Sequence, residues 1–257
     1  MRRIWGLCVV AVTLSGVSYA QVQVEDIWNR AKATVENTSA ANLGLTDSKI
    51  SAGLKEALTV STGKAVAATG HPDGFFKNQA IKILLPDNLR KIGNGMRMVG
   101  MGSQVDALEL GMNRAAEQAA PEAKKIFLNA VTNMTFADAR NILSGDDTAA
   151  TEYFRRTSSD QLTEAFTPIV HHAMENVGVI QQYDRVINSA SFGPWTAAPK
   201  KLDLDAYVVQ KTLDGLFYML GQEEKHIRTN PAAQTTALLK QVFGHASSGS
   251  SHNDEGR

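Results

Sequence analysis

Residues 111–156, GMNRAAEQAAPEAKKIFLNAVTNMTFADARNILSGDDTAATEYFRR, constrain the fold more than any other stretch of the chain. Ala123, Ile126, Phe127, Ala130, Val131 and Met134 recur at spacings of three and four, which puts them on one face of a helix. Lys124, Lys125 and Asn129 fall on the opposite face. Pro121 suits a first helical turn, where its missing N–H is not needed, and Glu122 sits near the positive end of the helix dipole. Thr135 is placed to cap a second helix, with Asp138 in its first turn. Phe136, Ala139, Ile142 and Leu143 form that helix's apolar stripe, and Gly145 is expected to end it in the left-handed conformation. Asp147 or Thr148 then restarts a helix carrying Ala150, Tyr153 and Phe154. Three short amphipathic helices joined this tightly must run antiparallel or cross steeply.

The same grammar extends in both directions. A helix from Thr46 or Asp47 carries Ile50, Leu54, Ala57 and Leu58 and is stopped near Thr69 by Gly70-His71-Pro72-Asp73-Gly74. Ile81, Lys82 and Ile83 alternate in polarity before Pro86. With no partner strand in sight, residues 75–85 read as a short extended segment lying across helices. The next helix buries Leu89, Ile92 and Met96 and is weakened by Gly93 and Gly95, at about 1 kcal/mol each relative to Ala. Another buries Val105, Leu108, Met112, Ala115, Ala116 and Ala119. Ser158 and Gln161 spell a capping box, predicting a new helix through Leu162, Phe166, Ile169 and Val170 that Gly178 breaks. Helices over 179–190, from Asp203 to Thr229 and over 232–243 follow. The expected fold class is all-α: a single multi-helix orthogonal or antiparallel bundle of about ten helices without a substantial sheet. Residues 21–45 form an N-terminal helix and linker, 46–244 the helical domain and 245–257 a disordered tail.

Residues 1–20 read as a cleavable signal peptide. Arg2 and Arg3 precede the apolar run Ile4–Val17, which is short for a membrane span, and Ser18-Tyr19-Ala20 is a small-x-small cleavage site between Ala20 and Gln21. The mature chain is then periplasmic and has no transmembrane segment. Without Arg2 and Arg3, the 26 basic residues fall to 24 against 26 acidic ones. This near-neutral balance argues against nucleic acid as a partner. The single cysteine, Cys8, lies inside the signal, so a mature chain offers no disulfide, thiol nucleophile or cysteine metal site.

Seven blocks of wording follow one another in order. They are GLKEAL at 53–58, ILLPDNLRKI at 83–92, NRAAEQAAPEAKKIF at 113–127, MTFADARNIL at 134–143, ATEYFRRTSSDQL at 150–162, LDLDAYVVQKTLDGLF at 202–217 and TTALLKQVFG at 235–244. Together they resemble a family of exported bacterial proteins, domain of unknown function 4197, over roughly residues 43 to 244. The resemblance implies an exported, all-helical domain and brings no activity, cofactor or catalytic residue.

Several chemical motifs are present only in part. Glu223 and His226 have the Glu-x-x-His spacing of di-iron bundles, but no second copy exists, and a charged helix face explains GQEEKHIR. His171 and Glu175 lie four apart with His172 adjacent, but one histidine and one carboxylate lack a third ligand, and they read as surface residues. Gly93-x-Gly95 and Gly100-x-Gly102 follow no strand, and no serine sits in a Gly-x-Ser-x-Gly elbow. No metal or cofactor is predicted. The remaining candidates are two charged clusters, Asn113, Arg114 and Glu117 on one helix and Glu152, Arg155 and Arg156 on another. Facing each other, they would hold a small anionic ligand through bidentate arginine. With no nucleophile nominated, the leading expectation is a soluble ligand- or partner-binding protein of the cell envelope rather than an enzyme. The alternatives are an envelope hydrolase or lyase with Glu117 or Glu152 as acid or base, and a structural or chaperone-like scaffold.

Overall fold

The computed structural model describes residues 47–176, 178, 179, 181, 183–185 and 202–230. Among these residues lie seven α-helices and no strand. The helices are α1 (Asp47–Thr69), α2 (Asp87–Met98), α3 (Gly102–Ala119), α4 (Ala123–Asn133), α5 (Phe136–Ser144), α6 (Ala149–Asn176) and α7 (Leu204–Thr229). A 3-10 turn, Ala120–Glu122 with Pro121 inside it, links α3 to α4. The fold class is all-α, as the periodicity required.

The expected count of about ten helices is not reached among the described residues, which hold seven. Residues 148–156 and 158–170 were each expected to make a helix, but α6 runs through both for 28 residues. Ser158 is therefore no cap; it is buried in mid-helix. Its capping-box spelling is overridden by one unbroken stripe of Ala150, Tyr153, Phe154, Leu162, Phe166, Val170 and Ala173, which stays on the core side throughout. The helices expected over 21–41 and 232–243, most of that over 179–190, the signal segment and the tail lie outside the described residues.

Local chemistry explains where the elements end. Thr135 caps α5 by a reciprocal box, with its hydroxyl accepting from the Asp138 N–H while the Asp138 carboxylate accepts from the Thr135 N–H. Asp203 accepts from the Ala206 N–H at the start of α7. Gly145 is not left-handed (φ −81, ψ −177). Glycine is needed there for space, because a Cβ would meet that of Ala149 at 2.6 Å.

Helices α6 and α7 pack along each other, and α3 lies against both. Phe127 of α4 joins Phe154 of α6 and Phe217 of α7 in an aromatic cluster, its ring centroid 5.0 Å from that of Phe154 and 6.1 Å from that of Phe217. Pro168 stands inside α6 on the exposed side, and the helix continues past it.

Candidate functional site

The polar residues of α3 come first, because the sequence pointed to them. Glu109, Asn113 and Glu117 lie four apart, one below the next on a single face, and all three are buried. Each holds backbone of the segment between α1 and α2. Asn113 accepts from the Ile83 N–H at 2.8 Å and donates to the Ile83 and Glu109 carbonyls at 2.8 and 2.7 Å. Glu117 accepts from the Phe75 and Phe76 N–H groups at 3.1 Å each. Glu109 accepts from the Leu85 N–H at 3.5 Å, and Tyr207 of α7 donates its hydroxyl to the Leu84 carbonyl. The segment expected to be extended over 75–85 instead runs in hydrogen-bonded turns as far as Ile81 and lies free of turns only from Lys82 to Pro86. The buried N–H groups that those turns leave over pair with a column of side chains, as buried backbone polar groups require some partner.

Arg114 completes this arrangement from the side. Its guanidinium reaches Glu117 at 2.6 Å and Asp73 at 2.7 Å. Asp73 is left-handed (φ 71), and its carboxyl is held below the ordinary range by Lys77 first and then Arg114. The Arg114 guanidinium is pushed up by Glu117 and Asp73. A second clamp lies on α7. Glu224 is buried and accepts from the Ala150 and Thr151 N–H groups at 2.9 and 2.8 Å, capping α6 from another helix. Arg228 donates to that same carboxylate at 3.0 Å and to the Ile142 carbonyl near the end of α5 at 2.7 Å.

The other predicted cluster stands apart. Glu152 and Arg155 form an exposed pair at 3.5 Å, Arg155 lies over the Phe217 ring at 4.6 Å, and Arg156 lies 5.8 Å from the Tyr153 centroid. Among the described residues no hydrogen bond or ion pair joins Asn113, Arg114 or Glu117 to Glu152, Arg155 or Arg156. The histidine motifs also resolve into local contacts. His171 Nδ1 is 2.6 Å from Asp205 at the start of α7, and its Nε2 is 3.4 Å from Glu175. His226 turns to Asn230, whereas Glu223 faces Lys64 at 3.6 Å. No group of three or more His, Cys, Asp or Glu among the described residues could hold a metal.

A cleft of about 390 Å³ opens between α4 and α6. Ile126 and Ala165 supply its apolar surface, and Glu122, Lys125, Asn129, Gln161 and Glu164 surround them. None of these five polar side chains makes a hydrogen bond or ion pair with another described residue. Pro168 has no N–H for the carbonyl four residues before it, and that carbonyl belongs to Glu164. A second cleft, about 240 Å³, contains Arg90, Asn94, Arg97 and Glu109, but its arginines are engaged. Arg90 pairs with Asp87 at 3.0 Å, and Arg97 pairs with Asp106 and Glu109 at 2.9 and 3.3 Å.

The comparisons with known proteins agree with the wording of the chain. Residues 44–244 match the model of a family described as a protein of unknown function, DUF4197. The chain belongs to that family. No curated protein and no solved structure matches it.

Sequence reasoning reached Asn113, Arg114 and Glu117 but missed the residues beside them. Glu224 has a legible signal, because it falls in register with Phe217, Leu220 and Ile227, on the face that must be buried. Glu109 does too, four residues before Asn113. Lys125 and Asn129 were placed on a polar face, but nothing local told that Gln161 and Glu164 of α6 would stand opposite.

Proposed function

We propose that this DUF4197 chain is an exported binding protein of the cell envelope and that the α4–α6 cleft is its ligand site. One observation carries the reading: five polar side chains surround one concavity with none of their hydrogen-bonding capacity used internally. The buried polar groups of α3 and α7 are, by contrast, consumed by backbone. Glu117, one of the two candidates for an acid or base, spends one oxygen on two N–H groups and the other on Arg114, which favours binding over catalysis at that position. Export rests on the pattern of residues 1–20. In keeping with it, no described helix is long and apolar enough to cross a membrane.

The test is a thermal-shift screen of the purified protein against metals, phosphorylated metabolites, envelope sugars and lipids, run beside the Asn129→Ala/Gln161→Ala double variant. A ligand at one hundred times its dissociation constant adds about 2.7 kcal/mol, a rise of a few degrees. One class should give that rise in the parent and not in the variant. A rise that survives in the variant places the site elsewhere, with Arg114, Glu152, Arg155 and Arg156 next in line. Export is checked separately by fractionation and N-terminal sequencing. The account expects Gln21 as the first residue in the periplasmic fraction, and an intact Met1 in the cytoplasm contradicts it.

A further inference from the structure

We infer that the ligand of the α4–α6 cleft is a neutral polyhydroxylated molecule, a saccharide. The inference rests on the reading of that cleft as a ligand site and adds the chemistry of what enters it. The lining is a mixed inventory. Glu122 and Glu164 only accept, Lys125 only donates, and the amides of Asn129 and Gln161 do both. Donors and acceptors are therefore close to balanced around one concavity. An anion such as phosphate needs donors and is repelled by two carboxylates facing one ammonium. A metal ion or polyamine needs acceptors and is opposed by Lys125. A sugar hydroxyl both donates and accepts, so a mixed ring of groups satisfies several hydroxyls at once.

Two further features fit the same class. Ile126 and Ala165 offer apolar surface for the C–H face of a sugar ring. The volume, about 390 Å³, falls at the lower end of the range of ligand sites and suits a short saccharide.

The experiment is an NMR titration of the ¹⁵N-labelled protein with diacetylchitobiose, maltose, spermidine and inorganic phosphate in turn. A saccharide should move the amides of residues 122–129 and 161–165, and spermidine and phosphate should not. Two variants separate hydrogen bonding from charge. Gln161→Ala removes hydrogen bonds and should weaken the saccharide about tenfold. Glu164→Gln keeps a hydrogen-bonding group while removing the charge, and should weaken the saccharide by no more than about tenfold without opening the cleft to phosphate. If spermidine or phosphate moves the cleft amides and the saccharides do not, the ligand class is overturned and the site stands. If no probe moves those amides, the ligand class and the site fall together.

Discussion

The inner faces of α3 and α7 and the α4–α6 cleft use similar side chains for opposite ends. Glu109, Asn113, Glu117 and Glu224 are buried, and each meets backbone N–H groups that would otherwise lack a partner. Glu122, Asn129, Gln161 and Glu164 are exposed and meet none. The difference shows how a helical domain handles a piece of chain that is neither helix nor sheet. Residues 75–85 have no strand beside them, so three residues of one helix face do the work of an edge. Once spent in that way, a polar group cannot also hold a ligand. Unspent groups gathered around a concavity are the ones available for recognition.

The largest effect that can break the comparison is at the α7 clamp. Glu224→Ala removes the acceptor for two helix N–H groups and leaves Arg228 without its carboxylate, so a loss of about 3–5 kcal/mol is expected in urea unfolding. A loss under about 1 kcal/mol would mean that Glu224 holds nothing essential. Pro168→Ala should act in the other direction. It restores the helical bond to the Glu164 carbonyl at an exposed position and should raise stability by up to about 3 kcal/mol. Lower stability in this variant would show that the proline is required by packing.

Gly215→Ala sharpens the view of segment 75–85 as a fixed element. An added Cβ would lie 2.5 Å from Phe75 Cε1, so a cost of about 1–3 kcal/mol is expected by calorimetry. Free accommodation would mean that the segment yields.

How much of this was legible follows from what kind of information each feature needs. The class and most helix limits were readable because caps, glycines and apolar period are local, whereas the turns over 75–81 were not, because the alternation of Ile81, Lys82 and Ile83 spells an extended run. The continuity of α6 was not, because Ser158 and Gln161 spell a start that only the tertiary stripe cancels. Asn113, Arg114 and Glu117 were readable as a cluster, but not as a clamp. Their partners at 73–83 lie some thirty to forty residues earlier in the chain and, apart from the Asp73 carboxylate, are backbone atoms that carry no sequence signature. The cleft needed α4 and α6 side by side, which no single stretch announces.

A smaller effect tests the contact between α6 and the start of α7. The His171 imidazole is raised from its ordinary value of 6.5 by its hydrogen bond to Asp205, by the charge of that carboxylate, and by Glu175. A raised folded value means that protonation favours the fold. The stabilisation is full below 6.5 and is lost as pH rises through the folded value. The parent should therefore exceed His171→Asn in urea midpoint at acid pH, and the gap should close in alkali. An equal gap at both ends would mean that the histidine contributes by packing alone.

The most direct test makes one chemical change in both regions. Asn113→Ala and Asn129→Ala remove the same amide, the first from the α3 column and the second from the cleft. Urea unfolding should show Asn113→Ala losing at least about 2 kcal/mol, since a buried N–H and carbonyl of Ile83 are left unpaired. Asn129→Ala should stay within about 0.5 kcal/mol of the parent. Equal losses from the two substitutions would contradict the division of polar groups between those that hold the fold and those left for a ligand.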